Sequence, residues 1–172
     1  MTRYDSFFLS FIILGAKVFV YLLEHTRVTD FHTDSDKNFH IFNWMINGLI
    51  KQNRLEEFKL EPEKSYKVIG DIEQNDSNGF EKLLDGFKLI GFRESDVDQI
   101  FKIIAAIIHL GDLEFVPIEN KDNTNGSKVG DTEKATLIAE LLGIDVNDFI
   151  LGMTTSNVAA RGKYFYIHFL FR

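Results

Sequence analysis

The chain has 172 residues, 45% hydrophobic and 26% charged, with 17 phenylalanines against two prolines, a composition that excludes a disordered polymer and suits one folded domain. Asp and Glu outnumber Lys and Arg by 26 to 19, and the formal charge of −7 opposes non-specific binding to a phosphate backbone, so nucleic acid is not an expected partner. The absence of cysteine excludes disulfides, thiolate catalysis and Cys-ligated zinc, and fits a reducing compartment.

Residues 7–14 (FFLSFIIL), behind Arg3, have the apolar character of a secretory signal. Asp5 precedes the run and Lys17 interrupts it before apolar residues resume at 18–23, so it is too short and too broken for a spanning helix. Its β-branched and aromatic content, with Gly15-Ala16 as a place to turn, predicts strand material over 7–28. Residues 29–38 read as a loop in which Asp36 caps a helix over 39–50. That helix is apolar nearly all round and should be buried on most of its surface. Leu55, Phe58 and Leu60 are spaced to dock a short helix, and 66–69 is expected to be extended.

After a turn-rich stretch, Phe80, Leu83, Leu84, Phe87 and Ile90 fall along one helical face, and Gly91 is placed to end that helix in the left-handed conformation. Ser95 and Asp98 form a variant capping box for a helix over 96–110. Its run from Ile103 to Ile108 leaves so little polar surface that the helix should cross the centre of a core and not lie on its edge. Gly111 is expected to stop it, a short strand to follow over 113–116, and 117–130 to be an exposed loop. Thr132 is the expected cap of a further helix ending at Gly143, and Asp145 of a last short helix reaching about Met153. The final segment, KYFYIHFLFR from Lys163, is aromatic and basic. The resulting fold class is α+β, mainly helical.

No residue pattern completes an active site. A phosphate cradle needs converging backbone N–H groups from a glycine loop, and neither GxxxxGK[ST] nor GxGxxG occurs. GxSxG is also missing. The histidines at 25, 32, 40, 109 and 168 lack the i,i+4 pairing of a metal site, so no metal ligand is assigned. The paired carboxylates Glu56-Glu57 and Asp96-Asp98 lie in charged helical faces, where solvation is the ordinary explanation.

Four stretches nevertheless carry a resemblance. Leu22-Leu23-Glu24-His25-Thr26-Arg27-Val28 is similar to the LLEKSRV of myosin heads, altered at His25 and Thr26; Asn38-Phe39-His40-Ile41-Phe42 matches the family's NFHIF. Residues 101–115 (FKIIAAIIHLGDLEF) resemble IFxILAAILHLGNLEF. Leu141-Leu142-Gly143 and Val158-Ala159-Ala160-Arg161-Gly162 fall where myosins carry an LLG turn and a VARGE-like stretch. The chain thus resembles a partial myosin motor domain, from the end of switch I through the upper 50-kDa region.

The resemblance implies three parts: transducer-like strands over 1–28, an upper 50-kDa-like helical body of a P-loop motor domain over 29–162, and an aromatic end over 163–172. Met1-Thr2-Arg3-Tyr4 aligns with the family's SSRF, which makes Thr2 and Arg3 a switch I remnant, although Asp5-Ser6 replace the usual Gly-Lys. Residues 161–167 would begin the cardiomyopathy loop, an actin contact of the family, with Arg161 and Lys163 as the candidate residues. ATP and Mg2+ are implied for the complete head, actin filaments and the rest of the heavy chain as partners, and the cytoplasm and cytoskeleton as location, with no membrane. The phosphate-binding loop would precede Met1 and switch II would follow Arg172, so the family's ATPase activity is expected to be absent from this chain alone. Two alternatives stay open here: a catalytically silent actin-binding or motor-partner module, and a small secreted or membrane-anchored helical protein.

Overall fold

The computed structural model describes residues 19, 38–70, 78–119, 125–160 and 163–168, with the side chains of 119, 125, 156–160 and 163–168 outside the description. The expected strands over 7–28 and the cap at Asp36 fall outside it, apart from Phe19. Among the described residues the chain is mainly helical, in the order α1 (His40–Lys51), a 3-10 helix (Leu55–Phe58), α2 (Gly79–Leu89), α3 (Glu94–Gly111), β1 (Phe115–Glu119), β2 (Asn125–Val129), α4 (Thr132–Leu142), α5 (Val146–Thr154), β3 (Thr155–Ala160) and β4 (Lys163–His168).

Glycines and asparagines end the helices as their conformational freedom allows. At the end of α2, Gly91 takes φ +90°, its N–H donates to the Lys88 carbonyl (3.1 Å) and the Phe92 N–H donates to the Phe87 carbonyl (3.0 Å). The Phe87 and Phe92 rings close this Schellman stop edge-on at 5.4 Å. The same pattern ends α4 at Gly143 (φ +68°), where the Ile144 N–H reaches the Ala139 carbonyl at 3.0 Å. Asn53 (φ +53°) does the same work after α1.

Two expected caps move. The stop at Gly91 delivers an extended chain at Arg93, so α3 starts at Glu94, and it is Asp96 that reaches back to accept from the Arg93 N–H (3.1 Å). Ser95 is inside the helix, and Asp98 faces Arg54 instead. α4 is capped by Asp131, whose Oδ1 accepts from the Lys134 N–H (2.9 Å), and not by Thr132. The Gly130 N–H, bonded to the Glu114 carbonyl (2.8 Å), fixes the chain just ahead and leaves Asp131 at the turn into the helix. α1 has Phe39 at its cap without a side-chain bond, and Asn38 Oδ1 accepts from the Phe39 N–H (2.7 Å). The cap expected at Asp145 is present, with Oδ1 accepting from Asn147 and Asp148 (2.8 and 3.2 Å).

The segment 117–130 is not simply a loop. β1 and β2 pair antiparallel, with Phe115 opposite Val129 and Pro117 opposite Ser127, and the strand expected over 113–116 begins at Phe115 and extends to Glu119. A two-stranded ribbon has only edges, so Pro117 can keep its donorless nitrogen on the unpaired side. β3 and β4 form a second antiparallel hairpin, Thr155 opposite His168 and Ala160 opposite Lys163.

The core gathers Phe42, Met45, Ile46 and Leu49 of α1, Phe58 and Leu60, Tyr66, Phe101, Ala105 and Ile108 of α3, and Ile138 of α4. Leu55, Phe58 and Leu60 dock as their spacing predicts. α3 departs from expectation: Val97, Phe101, Ala105 and Ile108 are buried, while Ile103 is 51% exposed and Ile107 also faces out. The helix therefore lines the core on one face and does not cross its centre.

Candidate functional site

Of the residues the resemblance singles out, Thr2, Arg3 and Arg161 lie outside the described residues. Lys163 is placed by its backbone alone, as the first residue of β4. Residues 163–168 form β4, which pairs antiparallel with β3. What the structure does bring together are two polar groupings at opposite ends of α3.

The C-terminal grouping is built on residues 66–70, which form a tight turn where an extended segment was expected. The Ile69 and Gly70 N–H groups donate back to the Tyr66 carbonyl (3.0 and 2.7 Å), and Gly70 adopts φ +75°. Two side chains distant in sequence hold this turn. Asn38 Nδ2 donates to the Val68 carbonyl (2.7 Å), and the Lys67 N–H donates to Asp112 Oδ1 (2.9 Å). Gly111 is the last residue of α3, and a Cβ there would overlap Val68 Cγ2, so close approach and not helix termination is what demands glycine. From α4, Lys134 Nζ donates to the Asp112 carbonyl (3.0 Å). Fully buried Tyr66 accepts at Oη from the Glu61 N–H (2.9 Å) and meets the His109 ring edge-on at 5.8 Å.

Burial sets the protonation chemistry of this end. It raises the Tyr66 phenol above its ordinary range against the opposing Glu61 N–H, and it lowers the His109 imidazole, with the Lys64 ammonium acting in the same direction. Asn38 and Asp112 were not singled out by composition or spacing. Both nevertheless lie inside the stretches 38–42 and 101–115 that carry the resemblance, and the structure shows these two stretches meeting at one turn.

The N-terminal grouping borders a cleft of about 620 Å³, floored by Phe80, Val97 and Phe101 and rimmed by Arg54, Lys88 and Asp98. Arg54 Nη2 bridges Glu57 Oε2 (2.7 Å) and Asp98 Oδ1 (3.0 Å), and its guanidinium lies 5.6 Å from the centre of the Phe58 ring. Hydrogen bonds to Glu57 and Asp98 push the Arg54 pKa further up, and the same bond holds Glu57 below the usual carboxylate range. Arg93 and Asp96 form a second exposed pair (3.0 Å) that lowers Asp96. Neither grouping sets a nucleophile against a base. Among the described residues no three His, Asp or Glu are arranged to hold a metal ion, and no helix is long and apolar enough to cross a membrane.

A family model for the myosin head (motor domain) matches residues 6–169. Myosin-IIIb of Mus musculus is 33% identical over 161 residues, which cover 88% of this chain and 12% of the relative. Myosin-2 of Saccharomyces cerevisiae is 31% identical over 157 residues, covering 88% and 10%. Unconventional myosin-XV of Homo sapiens is 34% identical over 139 residues, covering 77% and 4%. The chain therefore spans about a tenth of the length of the first two relatives. With the match running from before the first apolar run to the end of the second hairpin, and with two of its motif stretches bonded to one turn, the chain belongs to the myosin head (motor domain) family.

Proposed function

We propose that this chain supplies part of the upper 50-kDa region of an ATP-driven, actin-based motor, and that ATP turnover and movement belong to the complete head. The observation that carries this reading is the family match over 6–169. In this reading residues 1–28 contribute strands to the transducer, 29–162 form the helical body, 163–172 form the aromatic end, and 161–167 begin the cardiomyopathy loop. Thr2 and Arg3 close the nucleotide pocket from switch I, and Arg161 and Lys163 contact actin. The motor would work in the cytoplasm on the cytoskeleton.

The chemistry supports leaving hydrolysis to the whole head. Phosphoryl transfer rests on a phosphate cradle, a magnesium site and a positioned water, and this sequence contains no glycine-rich cradle motif. The described residues do not fit a Mg2+ site either, so no catalytic step is assigned to them. ATP and Mg2+ would be held by residues elsewhere in the heavy chain.

Sequencing transcripts across both ends of the coding region tests the assignment. The expected result is a phosphate-binding loop upstream and switch II downstream in one reading frame; a complete transcript with neither would overturn it. For the contact residues, filament co-sedimentation of the complete head should weaken on Arg161→Ala and Lys163→Ala without loss of basal ATP turnover. Unchanged co-sedimentation would remove both from the actin surface.

A further inference from the structure

One buried polar atom at the C-terminal end of α3 has no counterpart. His109 is 3% exposed, and its Nε2 has no hydrogen-bond partner. Backbone hydrogen bonds at Phe58 and Lys59 act on the imidazole and favour its charged form, while Nε2 itself stays without a partner. The charged and titratable groups around the ring come from three elements. Lys64 sits with Nζ 5.2 Å from the centre of the Tyr66 ring, and Tyr66 lies edge-on to His109. Glu61 is drawn off by Lys64 (3.3 Å). Asp112, at the end of α3, has its carboxylate taken by the Lys67 N–H, and Lys134 from α4 places its ammonium on the Asp112 carbonyl.

We propose that His109 is a proton-operated latch, whose protonation releases the 66–70 turn from the end of α3 and so loosens the hold of that turn on Asn38 at the start of α1. A cation at this position would sit in a core under the field of the Lys64 ammonium, beside an Asp112 carboxylate already engaged by the Lys67 N–H. The carbonyls of Phe58 and Lys59, the nearby Asp112 and the C-terminal end of the helix favour the cation, but burial, the largest influence, and Lys64 act against it, and the balance lowers the imidazole pKa and favours the neutral ring when docked. Undocking returns the ring to water, where histidine titrates near about 6.5.

The sign follows from linkage. With the docked pKa below the ordinary value, the undocked state binds more protons as pH falls through about 6.5, so docking is fully stable above that value and weakens below it. One proton sets the limit at about tenfold in the opening equilibrium per pH unit.

Hydrogen exchange on the full chain reads this directly through the Lys67, Ile69 and Gly70 amides, all of which donate within the joint. After correction for intrinsic exchange, their protection should fall by up to about tenfold per pH unit between about 6.5 and 5.5. Amides of α5 should keep theirs. His109→Gln and His109→Phe should abolish the pH dependence, while Asp112→Asn, which keeps an acceptor for Lys67, should retain it. Unprotected turn amides in the unsubstituted chain at about pH 7.5, where the ring is neutral, would overturn the latch, as would the same pH dependence in either His109 variant. Should both variants fail to fold, NMR titration of the His109 ring in the unsubstituted chain decides: a pKa well below about 6.5 is required, and one at or above it refutes the proposal.

Discussion

The two ends of α3 are tied to the rest of the chain by different physics. At the N-terminal end the tie is a solvent-exposed ion pair at the rim of an open cleft, Arg54 to Asp98, beside the exposed local pair Arg93–Asp96 that closes the first turn of the helix. At the C-terminal end they are hydrogen bonds onto the buried side chains of Asn38 and Asp112, the first to the Val68 carbonyl and the second from the N–H of exposed Lys67, closed by a glycine that Val68 packs against. Polar groups at the first end lose little when a partner goes, because solvent replaces it. At the second, a lost partner leaves an unsatisfied group in the core. The helix should therefore be anchored at its C-terminal end and adjustable at its N-terminal one.

The largest expected effect tests where that boundary falls. Phe101 floors the cleft yet is only 1% exposed, edge-on to Phe58 at 6.1 Å and tilted against Phe80 at 5.8 Å. Phe101→Ala should cost about 3–5 kcal/mol, measured by chemical denaturation, because the rings around it cannot close the space it leaves. A loss under about 1 kcal/mol, the scale of an exposed ion pair, would mean that the cleft collapses freely and that the loose region extends well into the helix.

Next comes Gly111→Ala. The residue is helical and not left-handed, so alanine would gain about 1 kcal/mol in helix propensity if space allowed. Its Cβ would instead overlap Val68 Cγ2, on a β-branched side chain with little rotamer freedom. A net loss of about 1–3 kcal/mol is expected, and Val68→Ala in the same chain should recover part of it, a coupling that a double-mutant cycle resolves. A neutral Gly111→Ala would show that the 66–70 turn can step away, and the two ends of the helix would then differ less than their hydrogen bonds imply.

Much of the helical order was legible beforehand for a local reason. Gly91 and Gly143 stop their helices through left-handed backbone that few other residues adopt cheaply, and the spacing from Phe80 to Phe87 marks a face without reference to anything distant, although Ile90, the last residue of that pattern, caps the helix and is 69% exposed. Caps were misplaced by one or two residues because their position depends on what precedes them: the Schellman stop ahead of Arg93, the hairpin register ahead of Asp131. The β1–β2 ribbon was missed because Pro117 and the sequence Gly126-Ser127-Lys128 lack the apolar alternation of a half-buried strand. The junction at the 66–70 turn was out of reach, since its bonds join residues 30 and 45 positions apart. Thr2, Arg3, Arg161 and Lys163 were legible through family resemblance alone, as no spacing among them points to chemistry.

The smallest expected effect is the one that defines the adjustable end. Arg54 and Asp98 approach to 3.0 Å, but their side chains remain 32% and 38% exposed, so water screens the pair and already solvates both partners. Arg54 is also shared with Glu57, which can hold the guanidinium when Asp98 is gone. A cycle of Arg54→Met and Asp98→Asn should therefore give a coupling of about 0.2–1 kcal/mol. That coupling should shrink as salt rises to about 1 M, where the screening length falls to about 3 Å. Methionine keeps an apolar stem over Phe58, so the cycle isolates charge from packing. A coupling above about 2 kcal/mol that ignores salt would mean that Arg54 is effectively desolvated, and the N-terminal end of α3 would then be held as firmly as the end at Asp112.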